Sequence, residues 1–137
     1  KLLTDRYITL FEHEFVRNFI HIKDVSSVFE FMIDNYDEHK GEIFNIGLTE
    51  ENINKKQLVE KIQEQIPNTS VTFSDYYEDP DKRNYIVSNE KIESTGWKPK
   101  YKLQDGISEL IEAYKMIVPQ ESSHYRNSFP LSYGDAT

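Results

Sequence analysis

This chain contains no cysteine. That excludes a disulfide framework and any thiolate-ligated zinc site, and it fits a reducing compartment, the cytoplasm. Its five glycines are scattered. None falls in a G-x-G-x-x-G run, so the backbone cradle that seats a dinucleotide pyrophosphate is missing. No apolar stretch approaches the roughly 18 residues of a membrane span, and there is no secretory leader pattern. Positive charge is short as well: 16 basic residues face 24 acidic ones, for a net charge of −8. Nucleic-acid binding needs a basic stripe, so that class of partner is excluded. The four histidines, His13, His21, His39 and His124, have no metal-ligand spacing, and H-E-x-x-H is absent.

The 137 residues make one domain or part of one. A chain of this size can bury roughly two-thirds of its unfolded surface. The first residues, from Lys1, read as the end of a helix, as though the sequence opened in the middle of a fold. Tyr7 to Phe11 reads as a strand, and Phe15 to Ile22 as a second one. Asp24 is a candidate N-cap for a helix with Val25, Val28, Phe29, Met32 and Ile33 on its apolar face. Glu42 to Gly47 predicts a short strand. Asn54 and Gln57 have the spacing of a capping box ahead of the helical face Leu58, Ile62 and Ile66, which Pro67 follows. Val71 and Phe73 alternate in another strand. Ser88 introduces a brief helix that stops near Gly96, and Trp97 is a packing anchor. Leu103 to Ile117 is the last helix, with Ile107, Leu110, Ile111 and Tyr114 inward. These elements predict an α/β, α+β-like fold of short mixed strands with three to four helices and no regular βαβ series.

Two arginines stand at punctuated positions. Arg17 opens the run RNFIHIKDV, and Arg83 ends the acidic loop DPDKR just before an apolar stretch. A planar guanidinium that stays charged is a natural grip for phosphate. The alternative is that each arginine pairs with a neighbouring carboxylate, as surface ion pairs commonly do. Other constellations read structurally. His13 and Glu14 form a turn pair, and a small enzyme built on His13, Glu14 or Tyr36 would lack the supporting geometry of catalytic roles. His21 reads as a hydrogen-bonded strand histidine. Tyr36 and Lys40 match Tyr-x-x-x-Lys, but they stand where a helix ends, and lysine is favoured there by the helix dipole.

Taken in order, the segments resemble the extended short-chain dehydrogenases/reductases, the NAD(P)-dependent nucleotide-sugar epimerases and dehydratases. RNFIHIKDV at 17–25 resembles that family's R-D-[FY]-I-H-V-x-D-[VL], departing at Asn18. EIFNIG at 42–47 resembles [VI]-[FY]-N-[VI]-G, and DPDKR at 79–83 resembles D-P-x-x-R. The run from Glu90 through Gly96, Trp97 and Pro99 resembles S-K-x-x-x-x-L-G-W-x-P, and 103–110 resembles its L-x-x-G-[IL]-x-x-[LT] helix. The match covers about residues 7 to 117 and falls on the family's C-terminal, substrate-binding portion. The Rossmann half, with its glycine fingerprint and catalytic Tyr-x-x-x-Lys, has no counterpart. Tyr36 and Lys40 lie on the wrong side of the RNFIHIKDV segment to be that pair.

The resemblance implies residues 1–118 as a nucleotide-sugar-binding portion and 119–137 as a C-terminal arm. It implies that Ile8, Thr9 and Phe11 lie along the nucleotide base, with Phe11 beside it, and that Arg17 and Arg83 contact the diphosphate. Asn45 and Asp24 match family positions but read as structural. It implies no catalytic residue and no cofactor held by this chain, with NAD or NADP serving the full-length family. The partners it implies are a nucleotide-diphosphate sugar and a Rossmann half. The alternative is a stand-alone binding or interaction module that self-associates through an exposed docking face.

Overall fold

The computed structural model describes residues 1–74, 76 and 83–116. The arm at 119–137 and residues 79–82 of the acidic loop lie outside the described residues. The elements in order are α1 (Leu2–Asp5), β1 (Tyr7–Phe11), β2 (Val16–Asn18), α2 (Ile22–Asp34), α3 (Tyr36–His39), β3 (Asn52–Asn54), α4 (Lys55–Gln65), β4 (Ser70–Ser74), α5 (Glu90–Glu93) and α6 (Leu103–Met116). This is a mixed α/β arrangement in which α2, α4 and α6 carry the bulk and α1, α3 and α5 are single turns.

Two small sheets organise it. β1 pairs in parallel with β4, Tyr7 opposite Ser70 and Phe11 opposite Ser74. β2 pairs antiparallel with β3, Val16 opposite Asn54 and Asn18 opposite Asn52. Antiparallel neighbours can be joined tightly, whereas a parallel pair needs a long crossover. Here the crossover carries most of the helical mass.

The apolar patterns divide into two cores. Val28 of α2, Ile92 of α5 and Trp97 are buried together, with Ile20, Phe31, Met32, Phe44 and Ile46 packed around them. Ile66, Ile107 and Ile111 form the other, with Leu3, Leu58, Ile62 and Leu103. The face read at Leu58, Ile62 and Ile66 is therefore the one α4 turns to α6. The capping box exists as read: Asn54 Oδ1 accepts the Gln57 amide at 2.8 Å, and Gln57 Oε1 accepts the Asn54 amide at 2.9 Å. Trp97 anchors its core as expected and donates from Nε1 to Ser27 Oγ at 3.1 Å.

Several expectations are corrected. The second strand covers only Val16–Asn18, because the chain turns into α2 at Ile22. Asp24 is not the N-cap. That place belongs to His21, whose extended backbone lets Nδ1 accept the Lys23 amide at 3.1 Å. His21 is thus a helix cap and not a strand residue. Asp24 lies inside α2 with no exposed surface, and its carboxylate accepts the amides of Lys100 at 2.9 Å and Tyr101 at 3.0 Å. Two amides from a distant connector satisfy a buried carboxylate better than one local amide does. Residues 42–47 form no strand. On α6, Leu110 and Tyr114 face outward, and only Ile107 and Ile111 are buried. On α2, Phe29 and Ile33 are exposed at 64% and 73%. Their spacing is helical, but the core takes only the adjoining stripe.

Candidate functional site

The site begins at the turn between β1 and β2. Glu12 adopts φ 44°, a left-handed conformation that costs a β-carbon-bearing residue energy. The turn is tied to the start of α4: Lys55 Nζ donates to the Phe11 carbonyl and the Lys56 amide to the His13 carbonyl, both at 3.3 Å. The His13 ring packs on Phe73 at 4.3 Å between centroids, and Nε2 lies 2.9 Å from Glu14 Oε1. That is the turn pair the spacing implied. The ends of β1 and β4 are thereby closed by aromatic contact.

β2 receives residues 83–87 along its flank. The Val16 amide donates to Asn84 Oδ1 at 2.9 Å, and the Tyr85 amide donates to the Val16 carbonyl at 3.0 Å. Asn52 completes the attachment. It accepts the Val87 amide at 2.9 Å and donates to the Val87 carbonyl at 3.0 Å. This zipper brings Arg83 beside Arg17, although 66 positions separate them in sequence. Arg17 Nη1 donates to its neighbour's carbonyl, Val16 O, at 2.9 Å and to Arg83 O at 2.6 Å. Both guanidinium groups lie over the ring of Tyr85, Arg17 Cζ at 4.7 Å and Arg83 Cζ at 5.4 Å from its centroid. Two cations meet one aromatic ring in a chain of net charge −8.

The three candidates on β1, Ile8, Thr9 and Phe11, divide by the pleat. Successive strand side chains point to opposite faces, so Thr9 and Phe11 share one face of β1 and Ile8 lies on the other. Thr9 also shares a hydrogen bond with the Tyr7 hydroxyl at 2.7 Å. Hydrogen bonds from Thr72, and then Thr9, hold the Tyr7 phenol below its usual range.

The remaining candidates stay apart from this cluster. His21 stacks on Tyr101 at 4.6 Å, with Glu109 Oε2 3.5 Å from Nε2. Lys23 bonds Glu109, which holds that carboxyl below its ordinary range and the lysine above its own. Tyr36 is exposed, and Lys40 Nζ sits 3.4 Å from Asp37. Asn45 reaches the Ser88 carbonyl at 3.5 Å. No group of three or more potential metal ligands occurs among the described residues. Gly41, Gly47, Gly96 and Gly106 lie in separate parts of the fold, none at a strand-to-helix turn. No helix among them is long and apolar enough to cross a membrane.

Sequence reasoning did not single out Tyr85, Asn84, Asn52 or Lys55. The available signal was an aromatic two residues after an arginine at the head of an extended stretch, and it is a weak one.

No family model matches the chain. Over 106 residues it is 32% identical to the dTDP-D-glucose 4,6-dehydratase of Mus musculus, an alignment covering 72% of this chain and 29% of that protein. It is 27% identical over 128 residues to the UDP-D-apiose/UDP-D-xylose synthase of Oryza sativa subsp. japonica, covering 78% of this chain and 31% of the relative. Its fold matches a GDP-D-glycero-L-gluco-heptose synthase from Campylobacter jejuni, whose structure was determined in the presence of NADPH. The TM-score there is 0.65 at 24% identity, over 80% of this chain and 33% of that one. The chain thus spans about a third of the length of these relatives. By the order of its motifs, its fold and these relatives together, it belongs to the extended short-chain dehydrogenase/reductase family of NAD(P)-dependent nucleotide-sugar epimerases and dehydratases.

Proposed function

We propose that residues 1–118 are the nucleotide-sugar-binding portion of a cytoplasmic sugar-nucleotide epimerase, dehydratase or reductase, not catalytically competent by itself. The observation that carries this reading is the convergence of Arg17 and Arg83 on Tyr85. A diphosphate carries paired negative charge, and guanidinium groups are the usual grip for it. Phe11 and Thr9 face the base from β1, and Ile8 takes part through its backbone. The nicotinamide cofactor of the complete enzyme is held outside these residues, which lack a cradle for it.

Calorimetric titration with UDP-, dTDP-, GDP- and CDP-sugars tests the proposal. Each charge-assisted contact contributes roughly 1.5–3 kcal/mol, so Arg17→Ala and Arg83→Ala should each weaken binding at least tenfold. No heat with any of these sugars, for the chain alone and for a chain joined to a dinucleotide-binding half, would overturn it.

A second reading, an interaction module on the same scaffold, is favoured by two features. Ile22, Phe29, Ile33 and Tyr36 form an exposed apolar row along α2 and into α3. Residues 43–46 are strand-like without a neighbour: Phe44 and Ile46 pack inward and Ile43 is 85% exposed, yet no backbone–backbone hydrogen bond forms there among the described residues. Such a face suits a Rossmann half or a second copy of this chain. Sedimentation that shows a monomer at every concentration, unchanged by Ile33→Glu and by an added dinucleotide-binding half, would count against it.

A further inference from the structure

We propose that Lys91 closes one edge of the strand-like segment 43–46, so that the segment can accept a neighbouring strand on its other edge only. This device lies apart from the arginine pair and does not depend on what that pair binds.

The segment is a strand in its side chains and not in its backbone pairing. Ile43 and Asn45 are exposed, whereas Phe44 and Ile46 are half-buried. The inward pair packs on the core of Val28, Ile92 and Trp97. Such alternation is the two-residue period of an extended chain. Yet among the described residues the backbone of 43–46 has one hydrogen-bond partner, Lys91 Nζ, which donates to Ile43 O at 2.8 Å. The same ammonium donates to Glu42 Oε2 at 2.7 Å and lies 4.6 Å from the centroid of the Phe44 ring. One lysine thus grips three consecutive residues. It reaches them from α5, which is fixed by the fully buried side chain of Ile92.

In an extended chain the N–H and C=O of one residue point to the same edge, and those of the next residue point to the other. The groups of Ile43 and Asn45 therefore share one edge, and those of Phe44 and Ile46 share the opposite one. The ammonium stands on the Ile43 edge. A strand pairing there would have to strip it from a carbonyl and a carboxylate and then bury or expel its charge, which is costly. Lysine on a strand edge blocks unwanted pairing in this way. The backbone groups of Phe44 and Ile46 carry no hydrogen bond among the described residues. A strand open on both edges can add copies without end, whereas one open on a single edge stops at a pair.

The experiment measures weight-average mass by sedimentation and light scattering over a concentration series, with thermal unfolding as the check on fold. All proteins carry Ile33→Glu, so that the exposed row on α2 contributes equally. The parent should stop at a monomer or a dimer. Lys91→Met should climb past about four protomers with no plateau, and Lys91→Arg should behave as the parent. Adding Asn45→Pro to Lys91→Met removes an N–H from the edge that the lysine covered, and it should restore the limit. Should Lys91→Met fail to fold, Glu42→Ala decides, since it frees the ammonium without touching α5 and should give a smaller rise of the same kind. Equal mass for the parent and the folded lysine or glutamate variant overturns the proposal. Open-ended growth of the parent does so too, as does growth of Lys91→Met that Asn45→Pro leaves unchanged.

Discussion

The guanidinium of Arg17 donates a hydrogen bond to the backbone carbonyl of Arg83 at 2.6 Å. The side chain of one arginine therefore reads the main-chain position of the other. A lysine at 17 would keep the charge but lose the planar, delocalised fork. Arg17→Lys should thus weaken nucleoside-diphosphate binding about tenfold with little change in net charge, as measured by calorimetry at fixed ionic strength. Retention of wild-type affinity would show that charge alone suffices at this position.

The buried carboxylate of Asp24 joins α2 to the connector after Trp97. Asp24→Ala leaves the amides of Lys100 and Tyr101 unsatisfied, each at a desolvation cost of about 1–3 kcal/mol. Urea unfolding should report a loss of about 3 kcal/mol. Asp24→Asn should fall between, because its carbonyl oxygen replaces one acceptor and its NH₂ faces a donor.

Acid should weaken the contact between α2 and α6. The hydrogen bond from Lys23 holds the Glu109 carboxyl below its ordinary 4.5. A lowered carboxyl contributes stability that is present above the unfolded value and is lost as pH falls through the folded one. Lys23 is raised above 10.5 by the same bond, so its share is complete below that value and disappears as pH rises through the folded one. Thermal unfolding across pH should show the gap between wild type and Glu109→Gln closing at both ends. A gap that does not change as pH falls from neutral to well below 4.5 would contradict the pairing.

Gly47 is required by crowding, not by its torsion. A β-carbon there would lie 1.6 Å from Asn18 Oδ1. Asn18 has little freedom to retreat, since its Nδ2 donates to Leu48 O at 2.7 Å. Gly47→Ala should destabilise the chain by about 2 kcal/mol, measured by chemical unfolding. The double variant with Asn18→Ala should recover part of that loss.

What the sequence disclosed was mostly local. The Asn54–Gln57 box, the α4 face at Leu58, Ile62 and Ile66, and the strands at Tyr7–Phe11 and Val71–Phe73 each announce themselves within a turn or two. What it concealed was decided at a distance. Asp24 looks like a cap because caps favour aspartate, and only the arrival of Lys100 and Tyr101 makes a better use for it. Phe29 and Ile33 carry the right period for burial, but periodicity cannot tell a core stripe from one left facing outward. At the site, the chemistry of the two arginines was visible as charge at punctuated positions. Their meeting on Tyr85 was not, because it depends on Asn84 and Asn52 fastening one segment to another across the sequence.

The parallel pairing of β1 with β4 has a bearing on synthesis. The ribosome makes Tyr7–Phe11 ahead of Ser70–Ser74, and three helices emerge between them. Until then β1 lacks the edge that β4 gives it. The nascent polypeptide must therefore shelter that segment while the helices form, and the sheet can close only once its later partner has been translated.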